Sequence, residues 1–136
     1  METITTSNTL TTEKNETKSI YIKSGTSMPS VRFLIEKNLL FIQGESLSPE
    51  VEFLYKNVLL MVQTHLSTDK TFSLHLQMKN MNCMTVKYII QLFQLLNSIG
   101  APTSIVWYVD WRDTQMVEII QDLSELVEVQ ISIHQL

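Results

Sequence analysis

The sequence has little of what most sites for metals, disulfides or phosphates require. Its single cysteine excludes an intramolecular disulfide and is compatible with a cytoplasmic protein. Three scattered histidines beside that cysteine make no metal-ligand pattern, and three glycines leave no glycine-rich phosphate loop. We therefore predict a cytoplasmic protein that holds no metal and no cofactor.

Charge and long apolar runs are also scarce. Ten basic residues against fourteen acidic ones give a net charge of −4, so no basic stripe is available to neutralise nucleic-acid phosphates. No apolar run reaches the ~18 residues that a membrane span needs. The N-terminus also lacks a basic region followed by an apolar one, which argues against a secretory signal. These features predict no nucleic-acid partner and no membrane association.

The chain is nevertheless rich enough in apolar residues to fold. Its 136 residues, 44% of them hydrophobic, predict one globular domain with a core of ordinary size. Residues 1–19 differ, because they contain seven threonines and only three apolar side chains. Such a segment buries too little surface to offset the entropy of ordering it. We predict a disordered tail over residues 1–19 and a folded domain over residues 20–136.

Hydrophobic periodicity predicts strands alternating with helices along that domain. Ser48 and Pro49 are typical of a helix start, and Asp113 of another. The continuous apolar run at residues 105–109 predicts a strand buried on both faces. The predicted strands are residues 20–22, 31–35, 39–43, 72–78, 103–109 and 129–133, and the helices follow residues 48, 85 and 113. This order predicts an α/β domain with a mixed, mostly parallel sheet, an N-terminal β-hairpin and about three helices.

The stretch at residues 79–87 stands out, because it leads from an alternating strand into the most apolar helix. The apolar positions of that helix recur at steps of three and four: Val86, Ile89, Ile90, Phe93, Leu96 and Ile99. We predict that residues 79–85 form the turn between the two elements. Such a turn presents free backbone N–H groups and the positive end of a helix dipole, which stabilise an anion by roughly 0.3–1 kcal/mol.

Several segments resemble the SiaC family of bacterial regulatory phosphoproteins over about residues 20–134. Residues 28–33 (MPSVRF), 44–46 (GES) and 49–55 (PEVEFLY) resemble the opening of that family. Residues 81–87 (MNCMTVK) resemble its Phe/Leu-Asn-Thr-Ser-Ser-x-Lys turn, and residues 106–110 (VWYVD) resemble its Trp-Tyr-Tyr-Asp strand end.

The resemblance implies a compact α/β fold similar to anti-sigma-factor antagonists and a non-catalytic protein whose phosphorylation state selects its partner. It implies three partners: an anti-sigma-type serine/threonine kinase, a metal-dependent phosphatase, and a diguanylate cyclase that the unphosphorylated protein activates. The family's phosphoacceptor is the threonine after Asn in the turn, and the matching position here is Cys83. A protein kinase does not esterify a thiol in the usual way. Thr85 is the nearest hydroxyl.

The individual candidates each allow two interpretations. Thr85 is either a helix N-cap or first-turn residue, or a displaced phosphoacceptor. Cys83 is either an inert turn residue or a redox-sensitive thiol at a helix start. Trp111 and Glu45 are possible interface residues or ordinary packing and capping residues. The Met-rich run of Met78, Met81 and Met84 either fills the core or offers an adaptable docking surface. With Asn82 and Lys87, Met81 and Met84 complete the predicted partner-binding turn.

Two other functions remain open. The protein could be an antagonist that sequesters an anti-sigma-like kinase without any cyclase. It could also be an enzyme with Cys83 as nucleophile, although the sequence places no base beside this cysteine.

Overall fold

The computed structural model describes residues 19–136. Within them, six strands form one sheet, and three α-helices and a short 3₁₀ helix (Ile35–Lys37) connect the strands. The elements are β1 Ser19–Ile22, β2 Ser30–Leu34, β3 Leu39–Ser46, α1 Val51–His65, β4 Phe72–Met81, α2 Cys83–Ile99, β5 Thr103–Val109, α3 Thr114–Val127 and β6 Ile131–Gln135. The predicted tail lies outside the described residues, except that Ser19 is the first residue of β1.

The sheet follows chain order, β1-β2-β3-β4-β5-β6. Strands β1, β2 and β3 are antiparallel neighbours, whereas β3 to β6 are parallel. Each parallel connection contains one helix and moves to the next strand in the same direction, so right-handed crossovers put all three helices on one face. Helix α2 packs between α1 and α3. The predicted α/β domain with a mixed, mostly parallel sheet and an N-terminal hairpin is confirmed.

Among residues 19–136, no helix lies on the other face of the sheet. Along β4 the side chains alternate between buried and half-buried, and β5 does the same. Ile105, Trp107 and Val109 are buried under the helices, while Val106 and Tyr108 are half-buried on the other face. The prediction that β5 is buried on both faces was wrong. Its apolar run is continuous because aromatic and β-branched residues also suit a sheet surface that is only partly covered.

Two predicted boundaries were wrong for reasons that lie in hydrogen bonding. Ser48 is not the N-cap of α1: its Oγ accepts the N–H of Glu50 at 3.0 Å in the turn that precedes the helix. The last strand begins two residues later than predicted. Glu128 adopts the left-handed conformation, and the Val129 N–H donates to Ser124 O, so Val129 belongs to the end of α3.

The core lies between the sheet and the three helices. Its largest fully buried side chains come from every part of the domain and include Trp107, Tyr55, Phe33, Phe72 and Phe93. The apolar stripe predicted for α2 is confirmed at Ile89, Phe93 and Leu96, which are buried, whereas Val86, Ile90 and Ile99 are half-buried. The same layer holds a buried tyrosine and threonine, whose hydroxyl groups belong to the site described next.

Candidate functional site

The connection between β4 and α2 is much tighter than predicted. Strand β4 continues to Met81 and helix α2 begins at Cys83, so the predicted turn over residues 79–85 contracts to Asn82 alone. The strand is longer because its pairing with β3 resumes beyond a bulge, where Ser46 lies opposite Met81. Asn82 is the N-cap of α2: its Oδ1 accepts the Thr85 N–H at 2.8 Å.

Asn82 also fixes this junction to the loop between β3 and α1. Its Nδ2 donates to Leu47 O at 3.0 Å and Ser48 O at 3.2 Å, and its backbone N–H donates to Ser46 O at 3.1 Å. One side chain therefore caps a helix and holds a neighbouring loop. Because these bonds determine its position, the start of α2 is a preorganised surface feature rather than a loose loop.

A buried chain of hydroxyl groups lies directly beneath the junction. Thr85 has no exposed surface, and its Oγ1 lies 2.6 Å from Ser46 Oγ, 2.9 Å from Ser46 O and 2.8 Å from Asn82 Oδ1. Ser46 Oγ lies in turn 2.9 Å from the Tyr55 hydroxyl, which donates to Met78 Sδ at 3.5 Å. Burial raises the pKa of Tyr55 to about 12, so this phenol stays protonated.

The bulge in β3 explains how Ser46 reaches this chain. Gly44 has a φ of 125°, and a Cβ on it would lie 3.3 Å from Pro29 Cα. Glycine alone adopts this conformation easily, and the register shift between Gly44 and Ser46 turns Ser46 inward. The Gly-Glu-Ser segment thus has a local structural role: it supplies the hydroxyl that anchors α2.

Thr85 and Cys83 therefore occupy opposite environments. Thr85 lies in the first turn of α2 with its hydroxyl buried and hydrogen-bonded, in agreement with its structural interpretation. A kinase would reach this oxygen only after the junction opened. Cys83 is the first residue of α2 and is exposed. Lys87 is also exposed and lies one helical turn further along the same side, with its Nζ 5.5 Å from the Tyr88 ring centre.

No histidine is placed to activate Cys83. His65 is the last residue of α1 and packs edge-on against Phe33, while His75 and His134 lie on the face of the sheet without helices. Among the described residues, no group of acidic, histidine or cysteine side chains is arranged to hold a metal ion. None of the three histidines therefore supports the hypothesis of Cys83 as a nucleophile.

The remaining candidates lie at the same edge of the sheet, where the parallel strands end. Glu45 is exposed near the end of β3, with its carboxylate 3.4 Å from Asn80 Nδ2. Trp111 follows β5 with 48% of its surface exposed, and its backbone N–H donates to Gln135 Oε1. Of the three methionines, Met78 is core, whereas Met81 and Met84 are half-buried beside Asn82.

Sequence reasoning missed four residues of this site. Ser46 and Tyr55 form the buried hydroxyl chain with Thr85. Leu47, in the loop that Asn82 holds, and Phe53, in the first turn of α1, are apolar side chains that are 40% and 67% exposed. The position of Phe53 outside the buried stripe of α1 was a usable sign of an exposed anchor. The hydroxyl chain left no such sign, because Ser46 and Thr85 are 39 residues apart.

This fold and site define a class: a single α/β domain with a rigid, capped helix start at the carboxyl edge of its sheet. The model of the SiaC family of regulatory phosphoproteins matches residues 22–136, and the chain belongs to that family. No curated protein matches the sequence. Within residues 19–136, none of the helices combines the length and apolar character needed to cross a membrane.

Solved structures share the fold. The crystal structure of apo-SiaC from Pseudomonas aeruginosa is 21% identical with a TM-score of 0.77, covering 86% of this chain and 98% of that one. The structure of the diguanylate cyclase SiaD in complex with its activator SiaC, from the same bacterium, gives the same identity and TM-score and covers 85% and 98%.

Proposed function

We propose that this protein is a non-catalytic, cytoplasmic partner-switching regulator that binds and activates a diguanylate cyclase through the start of α2. The observation that carries this proposal is the exposure of Cys83 on a helix start that Asn82 fixes to the β3–α1 loop. Family membership supports a regulatory role, and the complex of SiaD with its activator SiaC supports a cyclase as partner.

The docking surface we propose combines the helix start with the apolar side chains beside it. Met81, Met84 and Lys87 contribute from β4 and α2, Leu47 from the β3–α1 loop held by Asn82, and Phe53 from the first turn of α1. Apolar anchors of this size around a rigid polar centre are typical of protein interfaces. Trp111 and Glu45 lie at the same edge of the sheet and would form its rim.

The residue at position 83 affects whether phosphorylation can control partner binding. In the related turn the phosphoacceptor is a threonine at this position, and a phosphate there adds about −1.5 to −2 charges. The thiol of Cys83 accepts no such phosphate from a kinase, and the Thr85 hydroxyl is buried in the hydroxyl chain. We propose that this protein escapes control by the anti-sigma-type kinase and the metal-dependent phosphatase, and remains competent to bind its partner.

Three variants test the proposal by calorimetric affinity for the cyclase that copurifies with the protein from its native cells. Cys83→Asp should bind at least tenfold more weakly, which is about 1.4 kcal/mol, because it places an unpaired charge in the interface. Cys83→Asn is the matched control, with the same shape and no charge, and should bind like wild type. Cys83→Thr should also bind like wild type and become phosphorylated by a family kinase.

The outcomes separate the hypotheses. Equal affinity for Cys83→Asp and Cys83→Asn would place the docking surface elsewhere. Phosphate incorporated into the wild-type protein and mapped to Thr85 would show that the acceptor has moved and that the switch is intact. Copurification of a kinase without a cyclase would favour the antagonist. Rapid alkylation of Cys83 by iodoacetamide together with turnover of a substrate would favour an enzyme.

A further inference from the structure

On the face of the sheet that none of the three described helices covers, strand register arranges the side chains in transverse rows, two of which line the cavities described below. Strand register defines the first row as Tyr21, Arg32, Phe41, His75, Val106 and Ser132. It defines the second row as Ser30, Gln43, Gln77, Tyr108 and His134. This open face lies on the other side of the sheet from α1 and α2, and the proposed partner surface does not use it.

Aromatic rings form a continuous ladder across the open face. The Phe41 and His75 ring centres lie 5.0 Å apart, and His75 and Tyr108 are stacked at 5.8 Å. The Tyr108 hydroxyl lies 3.0 Å from His75 Nδ1, and the Tyr108 ring meets His134 edge-on at 5.7 Å. These rings hold one another in place, so the ladder offers a rigid aromatic platform.

Two adjoining cavities make a trough along this platform. One, of about 250 Å³, is lined by Phe41, Gln43, His75, Gln77 and Tyr108 among others. The other, of about 280 Å³, is lined by Tyr21, Ser30, Arg32, Phe41 and Gln43. Because Phe41 and Gln43 line both, the trough runs from the edge of the sheet to its centre. Apolar rings with a few converging polar groups are the usual lining of small-molecule sites.

The charge of the trough is opposite to that of the chain. The protein has a net charge of −4, yet neither row contains an aspartate or glutamate. The first row instead carries the guanidinium of Arg32, directly opposite Phe41 in the strand register. Glu45 lines a separate cavity that adjoins the trough at Ser30 and Gln43, with its carboxylate 3.4 Å from Asn80 Nδ2, and Asp110 is paired with Arg112 at 2.8 Å. The two cavities of the trough are lined by no aspartate or glutamate, so an anionic group has a cation beside a ring here.

We infer that this trough binds a small planar aromatic ligand that carries a negative charge. Its ring stacks in the Phe41–His75–Tyr108 platform, its anionic group meets Arg32, and Gln43 and Gln77 hydrogen-bond its edge. A second copy of the chain suits the face less well. Seven of the eleven side chains in the two rows are polar or charged, whereas the buried core of a homodimer interface is mostly apolar.

The experiment uses the full-length protein, amide NMR spectra and calorimetry. The probes are guanosine monophosphate, indole-3-acetate and inorganic phosphate, which respectively represent a nucleotide, an aromatic carboxylate and an anion without a ring. We expect at least one of the two aromatic anions to shift the amide signals of Arg32, Phe41 and Gln43, and phosphate to leave them unmoved. Binding of only one aromatic anion supports the inference and shows whether the ligand is a nucleotide or an aromatic carboxylate.

Variants locate the site. Arg32→Gln and Phe41→Leu should each weaken binding by about tenfold or more. Lys56→Gln removes the same charge from an exposed position of α1, on the other side of the sheet, and should bind like wild type. The inference is overturned if neither aromatic anion moves these signals at millimolar concentration, if phosphate moves them equally, or if Arg32→Gln leaves the affinity unchanged. If these amide signals shift as the protein concentration rises, the open face is a dimer interface and the inference is overturned.

Discussion

Thr85→Val tests whether the buried hydroxyl chain holds the start of α2. The substitution keeps the branched shape of the side chain and removes only its oxygen. We expect the protein to fold but to lose stability, because a methyl group would occupy the position of Thr85 Oγ1, 2.6 Å from Ser46 Oγ. A carbon atom does not approach an oxygen closer than about 3.3 Å, so the junction must also shift.

The size of the stability loss depends on which hydrogen bonds the partners of the Thr85 hydroxyl keep in Thr85→Val. Ser46 Oγ keeps its bond to the Tyr55 hydroxyl, Ser46 O keeps the bond from the Asn82 N–H, and Asn82 Oδ1 keeps the bond from the backbone N–H of residue 85. No partner is left without a bond, so the hydrogen-bonding loss lies near the lower part of the usual range of about 1–3 kcal/mol. Steric adjustment adds about 1 kcal/mol. The expected loss is about 2–3 kcal/mol, or roughly 8 °C or more in Tm for a domain of this size.

Urea unfolding followed by the fluorescence of the buried Trp107 measures this loss. Thr64→Val, at an exposed position of α1, is the matched control and should change the free energy of unfolding by less than about 0.5 kcal/mol. Thr85→Ser, which keeps the hydroxyl, should recover most of the loss. A change below about 0.5 kcal/mol for Thr85→Val would mean that the hydroxyl chain does not hold the junction.

Three further predictions concern the rest of the domain. Phe93→Ala should cost roughly 3–5 kcal/mol in urea unfolding, because this fully buried ring lies in the middle of the α2 stripe; a cost below about 1 kcal/mol would contradict its place in the core. Hydrogen bonds from Arg112 lower the pKa of Asp110 to about 2, so the stability it contributes is present above its ordinary pKa of about 3.9 and is lost as the pH falls through 2. Arg112→Gln should return that pKa towards its ordinary value in a carboxyl NMR titration, and an unchanged titration would show that the pair is not formed in solution. Deleting residues 1–18 should leave the Tm within a few degrees, a change under about 1 kcal/mol, and a large drop would show that the segment contributes to the fold.

The sequence by itself determined the class of fold and the order of its elements. Alternation along β4 and the three-and-four spacing in α2 report directly which side chains face the core, since each depends only on the local backbone repeat. The Gly-Glu-Ser segment and the MNCMTVK turn were sufficient to identify the family. The same turn identified Cys83 as the residue at the acceptor position.

Only the tertiary structure decided how Cys83 and Thr85 differ. The sequence placed both residues in a turn, where two positions apart implies no difference in burial. Because α2 begins at Cys83, they instead lie about 200° apart around a helix, so that Cys83 is exposed and Thr85 is buried against Ser46, 39 residues away. The open face of the sheet was equally hidden, because Phe41, His75 and Tyr108 come from three strands whose register the sequence does not specify. Both depend on contacts between distant segments, which form only when packing brings those segments together.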